Sequence, residues 1–153
     1  MRYLLLSLVC ACTFLSQKVH AQIQKDISFT IVDNPPRYPG CKGANANFLK
    51  ECFRNKVEAL ITDNFDFKQF EALLPKGKHR VFVQFRILDN GTYDQLSVRT
   101  PYTSIEKEAI KALSNLPRFE GAIHKDKPRN TLFATAFTVV VNEGVVATED
   151  DKN

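Results

Sequence analysis

Alternating apolar and polar positions divide the second half of the chain into strands. Residues 80–88 alternate in this way, a second short alternation passes through Leu96 and Val98, and a long β-branched run covers Thr131–Val141. A period of two residues predicts strands. Between the first two patterns, the letters DNGT at residues 89–92 supply residues that tolerate positive φ, as a hairpin turn requires. The pattern therefore predicts a hairpin and a third, longer strand.

A helix is predicted between the second and third strands. Thr103 and Glu106 have the spacing of a capping box, in which each side chain accepts a hydrogen bond from the other residue's N–H, and Pro117 ends the helix. Glu106 and Glu108 near its start favour the helix dipole. Because an amphipathic helix buries its apolar stripe, the order of elements predicts an α+β fold, with a small antiparallel sheet of about three strands and helices packed on one face. The stripe consists of Ile105, Ala109, Ala112, Leu113 and Leu116.

Two more helices are predicted in the first half, over residues 45–63 and 67–74, the second ended by Pro75. Before them, apolar residues alternate with polar ones up to Pro35, which predicts a short strand or an extended arm. The alternating residues of this arm are Ile27, Phe29 and Ile31, and the inner side of the first helix carries Leu49, Cys52, Phe53, Val57, Leu60 and Ile61.

The stretch VFVQFRILDNGTYDQLSVRTPYTSIEKEAIKALSNLPRFEG and the later FTVVV resemble the C-terminal domain of TonB, in the form common in Bacteroidetes-type bacteria. Upstream, FTIVDNPPRYPGCKG resembles the aromatic-Pro-Gly-Gly segment that precedes the first helix of those relatives, so the resemblance covers about residues 29–141. The chain has Cys41 at the second Gly of that segment, Phe65-Asp66 where relatives often have Tyr-Pro, and Glu120-Gly121 where they have Pro-Gly. The shared signals are Gly91, Glu108-Ala109, Leu116-Pro117 with Phe119, and residues 137–141.

The resemblance implies a partner, namely the TonB-box segment near the N-terminus of an outer-membrane receptor, which pairs beside the last strand of the domain. An edge strand has unpaired N–H and C=O groups that accept an extended peptide, and the same groups would allow two copies to pair as a homodimer. We expect the side chains of the last strand to face the core, so that its backbone makes the contact. The expected peptide-binding residues are Arg37, Tyr38, Thr131, Phe133, Thr135, Phe137 and Val139.

The alternative is a structural or assembly protein of the cell envelope that keeps the TonB-like fold, has a covered sheet edge and has no role in transport. No long Pro-rich spacer precedes the domain, so a binding module that does not itself transmit force is expected.

Residues 1–21 have the pattern of a secretory signal peptide, with Arg2, an apolar run over residues 3–16 and the small-residue cleavage pattern Val19-His20-Ala21. An apolar run of about fourteen residues is shorter than the ~20 that cross a membrane. The protein is therefore expected in the periplasm. Retention of the run as an inner-membrane anchor, or lipidation of Cys12, remain the alternatives.

Cleavage would leave a domain over residues 22–141 and an acidic tail, residues 142–153, that is expected to be disordered. It would also leave Cys41 and Cys52 as the only cysteines. Two cysteines in an exported domain predict a disulfide. A reactive thiol is the alternative, and it would need a basic neighbour such as Lys42 to lower its pKa.

The remaining composition argues against catalysis and against nucleic acid. The formal net charge is +4, and it falls to +2 without Arg2 and Lys18, which is too little to predict nucleic-acid binding. His79 and His124 lie in basic loops without carboxylates at ligand spacing, and the chain has neither a phosphate-binding Gly loop nor a nucleophile elbow. We therefore expect no enzyme activity, no cofactor, no metal and no small-molecule substrate.

Overall fold

The computed structural model describes residues 25–70 and 73–141, and the described chain has an α+β fold. In chain order the elements are β1 (Ile27–Ser28), α1 (Ala46–Asn64), a 3-10 turn (Lys68–Phe70), β2 (Gly77–Ile87), β3 (Tyr93–Arg99), α2 (Thr103–Leu113), β4 (Ala122–His124), β5 (Lys127–Arg129) and β6 (Thr131–Val141). A four-stranded sheet has the order β1-β6-β2-β3, and β4 and β5 form a separate two-stranded sheet. The two longest strands, β2 and β6, pair antiparallel over their full lengths.

The prediction of a three-stranded antiparallel sheet was wrong in one respect, because β1 adds a short parallel strand beside β6. The Ile27 N–H donates to the Asn130 C=O at 3.0 Å, and the Phe29 N–H donates to the Leu132 C=O at 3.0 Å. The strand stops there because the chain turns, with the Ile31 N–H donating to the Ser28 C=O at 3.2 Å. The Phe29 ring lies in the core, 5.1 Å from Phe53 and 5.0 Å from Phe133. The predicted alternation ends with it, and Ile31 is 65% exposed.

Both helices pack on one face of the sheet, as predicted. Odd-numbered residues of β2 and β6 point into the same core as the apolar sides of α1 and α2. Aromatic rings fill the centre of this core, with Phe53 and Phe133 5.1 Å apart and Phe85 and Phe133 also 5.1 Å apart. The predicted stripe of α2 is fully inside it: Ile105, Ala109, Ala112, Leu113 and Leu116 are all buried.

The predicted capping box at the start of α2 was wrong. Tyr102 occupies the N-cap position and makes no side-chain capping bond. The Glu106 N–H is already used by the first helical bond, which it donates to the Tyr102 C=O at 3.1 Å. The helix also ends at Leu113, four residues before Pro117, so Pro117 prevents the helix from extending but does not mark its last turn.

Glu108 lies beyond the first turn of α2 and has a different setting from the predicted one. Glu108 as a whole residue is 8% exposed. Its Oε1 accepts hydrogen bonds from the Asp66 N–H and from Lys111 Nζ, both at 3.3 Å. It therefore connects α2 to the turn that follows α1. The helix predicted over residues 67–74 is described only in part, and there the chain forms the short 3-10 turn.

The β2–β3 hairpin is confirmed, and a second segment of chain holds its loop. Gly91 has φ of 83°, and the Leu88 N–H donates to the Thr92 C=O at 2.8 Å. Residues 118–121 pack against this loop, with the Phe119 N–H donating to the Gly91 C=O at 2.8 Å. The predicted signal peptide and acidic tail lie outside the described residues. In residues 25–70 and 73–141 no helix has the length and hydropathy needed to cross a membrane.

Candidate functional site

The outer side of β6 is the edge that could accept another strand. On its inner side β6 pairs with β2 from Thr131 to Val141, whereas on its outer side β1 pairs with only Thr131 and Leu132. Among the strands of the described chain, none pairs with that side beyond Leu132. The rest of the edge, residues 133–141, is therefore long enough for a further strand of several residues.

The bonds to β1 establish which backbone groups of β6 face outward. The C=O of Leu132 accepts from the Phe29 N–H, so the polar backbone groups of Leu132 point towards β1. Neighbouring residues of a strand direct these groups to opposite sides, and the register with β2 continues without a shift along the strand. The outward N–H and C=O groups beyond β1 therefore belong to Ala134, Ala136, Thr138 and Val140.

The residues predicted for peptide binding on this strand all have odd numbers, and their backbone groups face β2. Four of the five side chains are buried in the core, as expected, and only Thr135 is partly exposed. Sequence reasoning located the strand but not its outward residues. A β-branched pattern does not show which alternate residues direct their N–H and C=O groups towards a given neighbouring strand. The five residues are Thr131, Phe133, Thr135, Phe137 and Val139.

Arg37 and Tyr38 lie against the segment that follows α2. Arg37 exchanges backbone hydrogen bonds with Glu120, at 3.2 and 3.0 Å, and its Nε lies 3.7 Å from Glu120 Oε2. The Tyr38 ring contacts Phe53 and Phe119, with centroids 5.9 and 5.7 Å apart, and burial raises the pKa of its hydroxyl. These partners belong to α1 and to residues 119–120, so both residues support the core beneath the sheet. Their role in peptide binding stays a prediction.

The face of the sheet opposite the helices carries a recess close to the open edge. Its volume is about 410 Å³, and Ala134 and Thr135 of β6 line the side nearest the edge. Phe82 of β2 lines it too and is 52% exposed, with the Arg80 guanidinium 5.4 Å from its ring centroid. The other lining residues are Val83, Gln84, Ser97 and Arg99.

A charged network joins three strands at the far end of this face. Arg86 donates from Nε and Nη2 to the two carboxylate oxygens of Asp94, at 2.7 and 2.6 Å, and its Nη1 lies 3.7 Å from Asp26 Oδ2. The hydrogen bonds that Arg86 donates to Asp94 lower the pKa of that carboxyl and raise the pKa of the guanidinium. Because Asp26 precedes β1 and Asp94 lies in β3, the network fastens β1 to the sheet.

Cys41 and Cys52 form a disulfide, as predicted, with their Cα atoms 5.9 Å apart. Cys41 follows the turn in which its N–H donates to the Tyr38 C=O at 2.9 Å, and Cys52 lies on α1. The bond thus attaches the segment containing Tyr38 to α1. Oxidised sulfurs offer no thiolate, so the pair is not a nucleophile in this state.

His79 and His124 have separate structural contacts. His79 Nε2 lies 2.8 Å from the Pro75 C=O and its ring packs edge-on against Tyr102, while His124 Nδ1 lies 3.0 Å from Asp33 Oδ2. In residues 25–70 and 73–141 no group of three or more His, Cys, Asp or Glu side chains is arranged to hold a metal ion.

Comparison with known protein families, with curated proteins and with solved structures finds no match to this chain.

Proposed function

We propose that this protein is a periplasmic, TonB-like binding module that captures an extended peptide by strand addition along the outer edge of β6. The proposed partner is the TonB-box segment of an outer-membrane receptor, which associates the protein with TonB-dependent transport across the outer membrane. The partner and the compartment come from the sequence resemblance and from the signal-peptide pattern. The binding mode is supported by the open edge of β6.

The open edge carries this proposal. Ala134, Ala136, Thr138 and Val140 direct N–H and C=O groups to the side of β6 away from β2, and a peptide strand uses such groups in pairs. Alanine side chains at two of these positions offer little steric hindrance to a neighbouring strand. Exposed unpaired edges also promote aggregation, so a partner for this edge has a physical basis beyond the resemblance.

β1 supports a limited version of the alternative function. It covers the start of the edge, at Thr131 and Leu132, and the Arg86–Asp26 contact helps to hold it there. A structural envelope protein with a covered edge would need this cover to extend further along β6. In the described residues the cover stops after two residue pairs, which favours the binding role.

Two adjacent proline substitutions test the proposal. Proline has no N–H to donate to a ladder. Ala136→Pro removes an outward N–H, so we expect the variant to stay folded and to lose binding to N-terminal peptides of TonB-dependent receptors. Thr135→Pro removes an N–H that faces β2, so we expect it to unfold. Circular dichroism melting measures whether each variant is folded, and fluorescence polarisation with labelled peptides measures binding.

The results separate the two functions. Folded Ala136→Pro protein that binds receptor peptides as tightly as the wild type would exclude strand addition at β6. Failure of the wild-type protein to bind any such peptide would favour the structural role. If both variants unfold, the outer side of β6 is internally paired and the edge is not a binding site.

A further inference from the structure

We propose that the recess beside Phe82 selects the peptide that adds to β6: it receives a large apolar side chain of the added strand, and the Arg99 guanidinium in its lining favours acidic side chains two residues away. This inference rests on the proposed function and names the chemistry of the partner. It concerns the face of the sheet opposite the helices, where Thr135 is the one predicted site residue that lines the recess.

Rows of side chains cross this face and end at the open edge. One row runs from Arg99 through Phe82 to Ala136, and the next runs from Ser97 through Gln84 to Ala134. A strand added to β6 would place its own residues at the ends of these rows. Its side chains opposite Ala136 and Ala134 would then lie on the same face as Phe82, because paired residues share a face.

Small residues on β6 leave room between the added strand and Phe82. Adjacent strands are about 4.8 Å apart, so the added residue opposite Ala136 has its Cα about 10 Å from that of Phe82. Only the methyl group of Ala136 lies between them. A large apolar side chain can therefore lie across Ala136 and contact the Phe82 ring, which is 52% exposed. The recess of about 410 Å³ is large enough for such a side chain.

The charges at the two ends of this face differ. At the β1 end, Asp26 and Asp94 accompany Arg86. At the recess, Arg99 is the exposed cross-strand neighbour of Phe82 on β3. Opposite charges across an interface favour association and disfavour partners of like charge. The recess therefore fits a peptide with carboxylates beside its apolar side chain.

A symmetric peptide tests this chemistry whichever direction the added strand takes. The probe is fluorescently labelled Thr-Glu-Thr-Leu-Thr-Glu-Thr, whose Leu and two Glu share one face of a strand. Companion peptides replace Leu with Ala, or both Glu with Lys. Fluorescence polarisation gives the Kd of each peptide for the wild-type protein and for Phe82→Ala, Arg99→Glu and Ala136→Pro. Ile123→Ala, a substitution of another exposed apolar residue, is the control.

We expect the wild-type protein to bind the Leu peptide about tenfold more tightly than the Ala peptide, since the Leu side chain becomes buried. Phe82→Ala should reduce this Leu-to-Ala affinity ratio to about twofold or less, because two side chains in contact show coupling in a double-mutant cycle. The control Ile123→Ala should leave the ratio at about tenfold. Arg99→Glu should reverse the preference for the Glu peptide over the Lys peptide.

The outcomes distinguish this inference from the proposed function. If Ala136→Pro abolishes binding but Phe82→Ala keeps the full Leu preference, strand addition stands and the recess is not the specificity site. An unchanged Glu preference in Arg99→Glu would likewise exclude the proposed charge selection. If the wild-type protein and Ala136→Pro bind all peptides alike, or neither binds any, strand addition itself fails and this inference fails with it.

Discussion

Two glycines allow the hairpin loop and the segment after α2 to touch through their backbones. A Cβ atom at Gly91 would overlap the carbonyl oxygen of Phe119, and one at Gly121 would overlap the carbonyl oxygen of Asp89. Gly91 also needs its left-handed φ of 83°. Gly121 does not have a left-handed φ, so only the close packing against Asp89 excludes a side chain at this position. Sequence reasoning noted both residues as parts of motifs, without this contact.

Gly121→Ala should therefore lower the free energy of unfolding by at least about 2 kcal/mol, because the loop has to move away from the new methyl group. Gly40→Ala is the control. Gly40 has φ of 93° but no atom within 4 Å of an added Cβ, so backbone strain alone should cost about 1 kcal/mol. Urea unfolding of both variants measures the difference, and a larger loss at Gly40 than at Gly121 would contradict the close approach.

Asp94 should make stability depend on pH in the acid range. The Arg86 guanidinium lowers the pKa of this carboxyl in the folded state. A lowered folded pKa gives stability that is present above the unfolded value of about 3.9 and is lost as the pH falls through the folded pKa. Asp94→Asn should remove this part of the acid-side slope in Tm between about pH 5 and pH 2. Asp63→Asn, at an exposed carboxylate near the end of α1, should keep the wild-type slope.

At the scale of elements, the disulfide joins a loop to a helix. Residues 38–41 carry a turn and the Tyr38 ring, and the bond from Cys41 to Cys52 holds them against α1. The sequence predicted this pair because the two cysteines would be alone after cleavage of the signal peptide. The structure adds the consequence, which is that the ring of Tyr38 is held near Phe53.

We expect removal of this bond by Cys41→Ser with Cys52→Ser to lower the free energy of unfolding by about 3 kcal/mol, on the chain-entropy account for so short a loop. The double variant should still fold, since the aromatic core is unchanged. Thiol labelling of freshly isolated wild-type protein, under denaturing non-reducing conditions, should modify neither cysteine. Stoichiometric labelling of both would show that the bond is absent in the cell.

The start of α2 shows what local pattern left undetermined. Thr103 and Glu106 have capping-box spacing, yet the chain enters the helix one residue earlier, at Tyr102. The Tyr102 ring packs edge-on against His79 of β2. A contact between distant residues therefore accompanies a helix start that the local spacing did not predict.

At the scale of the whole molecule, the order of strands decides which surface is open. The sheet places β6 between β2 along its full length and β1 at one end. Helices cover one face, and the opposite face carries Phe82, the recess and the Arg86 network. The proposed site therefore depends on an edge and a face that meet at Ala134 and Ala136.

Amide hydrogen exchange should show directly that the two sides of β6 differ. Exchange of the Ala134 and Ala136 N–H groups should be fast because they face the open side, and exchange of the Phe133, Thr135 and Phe137 N–H groups should be slow because they bond to β2. Addition of a receptor peptide should slow exchange at Ala134 and Ala136. NMR measures each amide separately. Equal protection of even and odd residues in the free protein would contradict the assigned direction of these groups.

The sequence by itself determined the long strands, the hairpin, both helices with their apolar stripes and the disulfide pair. These features depend on residues close together in the chain, on period 2 or 3.6, and on turn chemistry, and β6 has the predicted bounds, Thr131–Val141. Only the tertiary structure decided the parallel pairing of β1, the contact at Gly121 and the exposure of Phe82. It also decided which residues of β6 direct their N–H and C=O groups away from β2. Each of these depends on which distant segment lies alongside, and a local pattern carries no information about that neighbour.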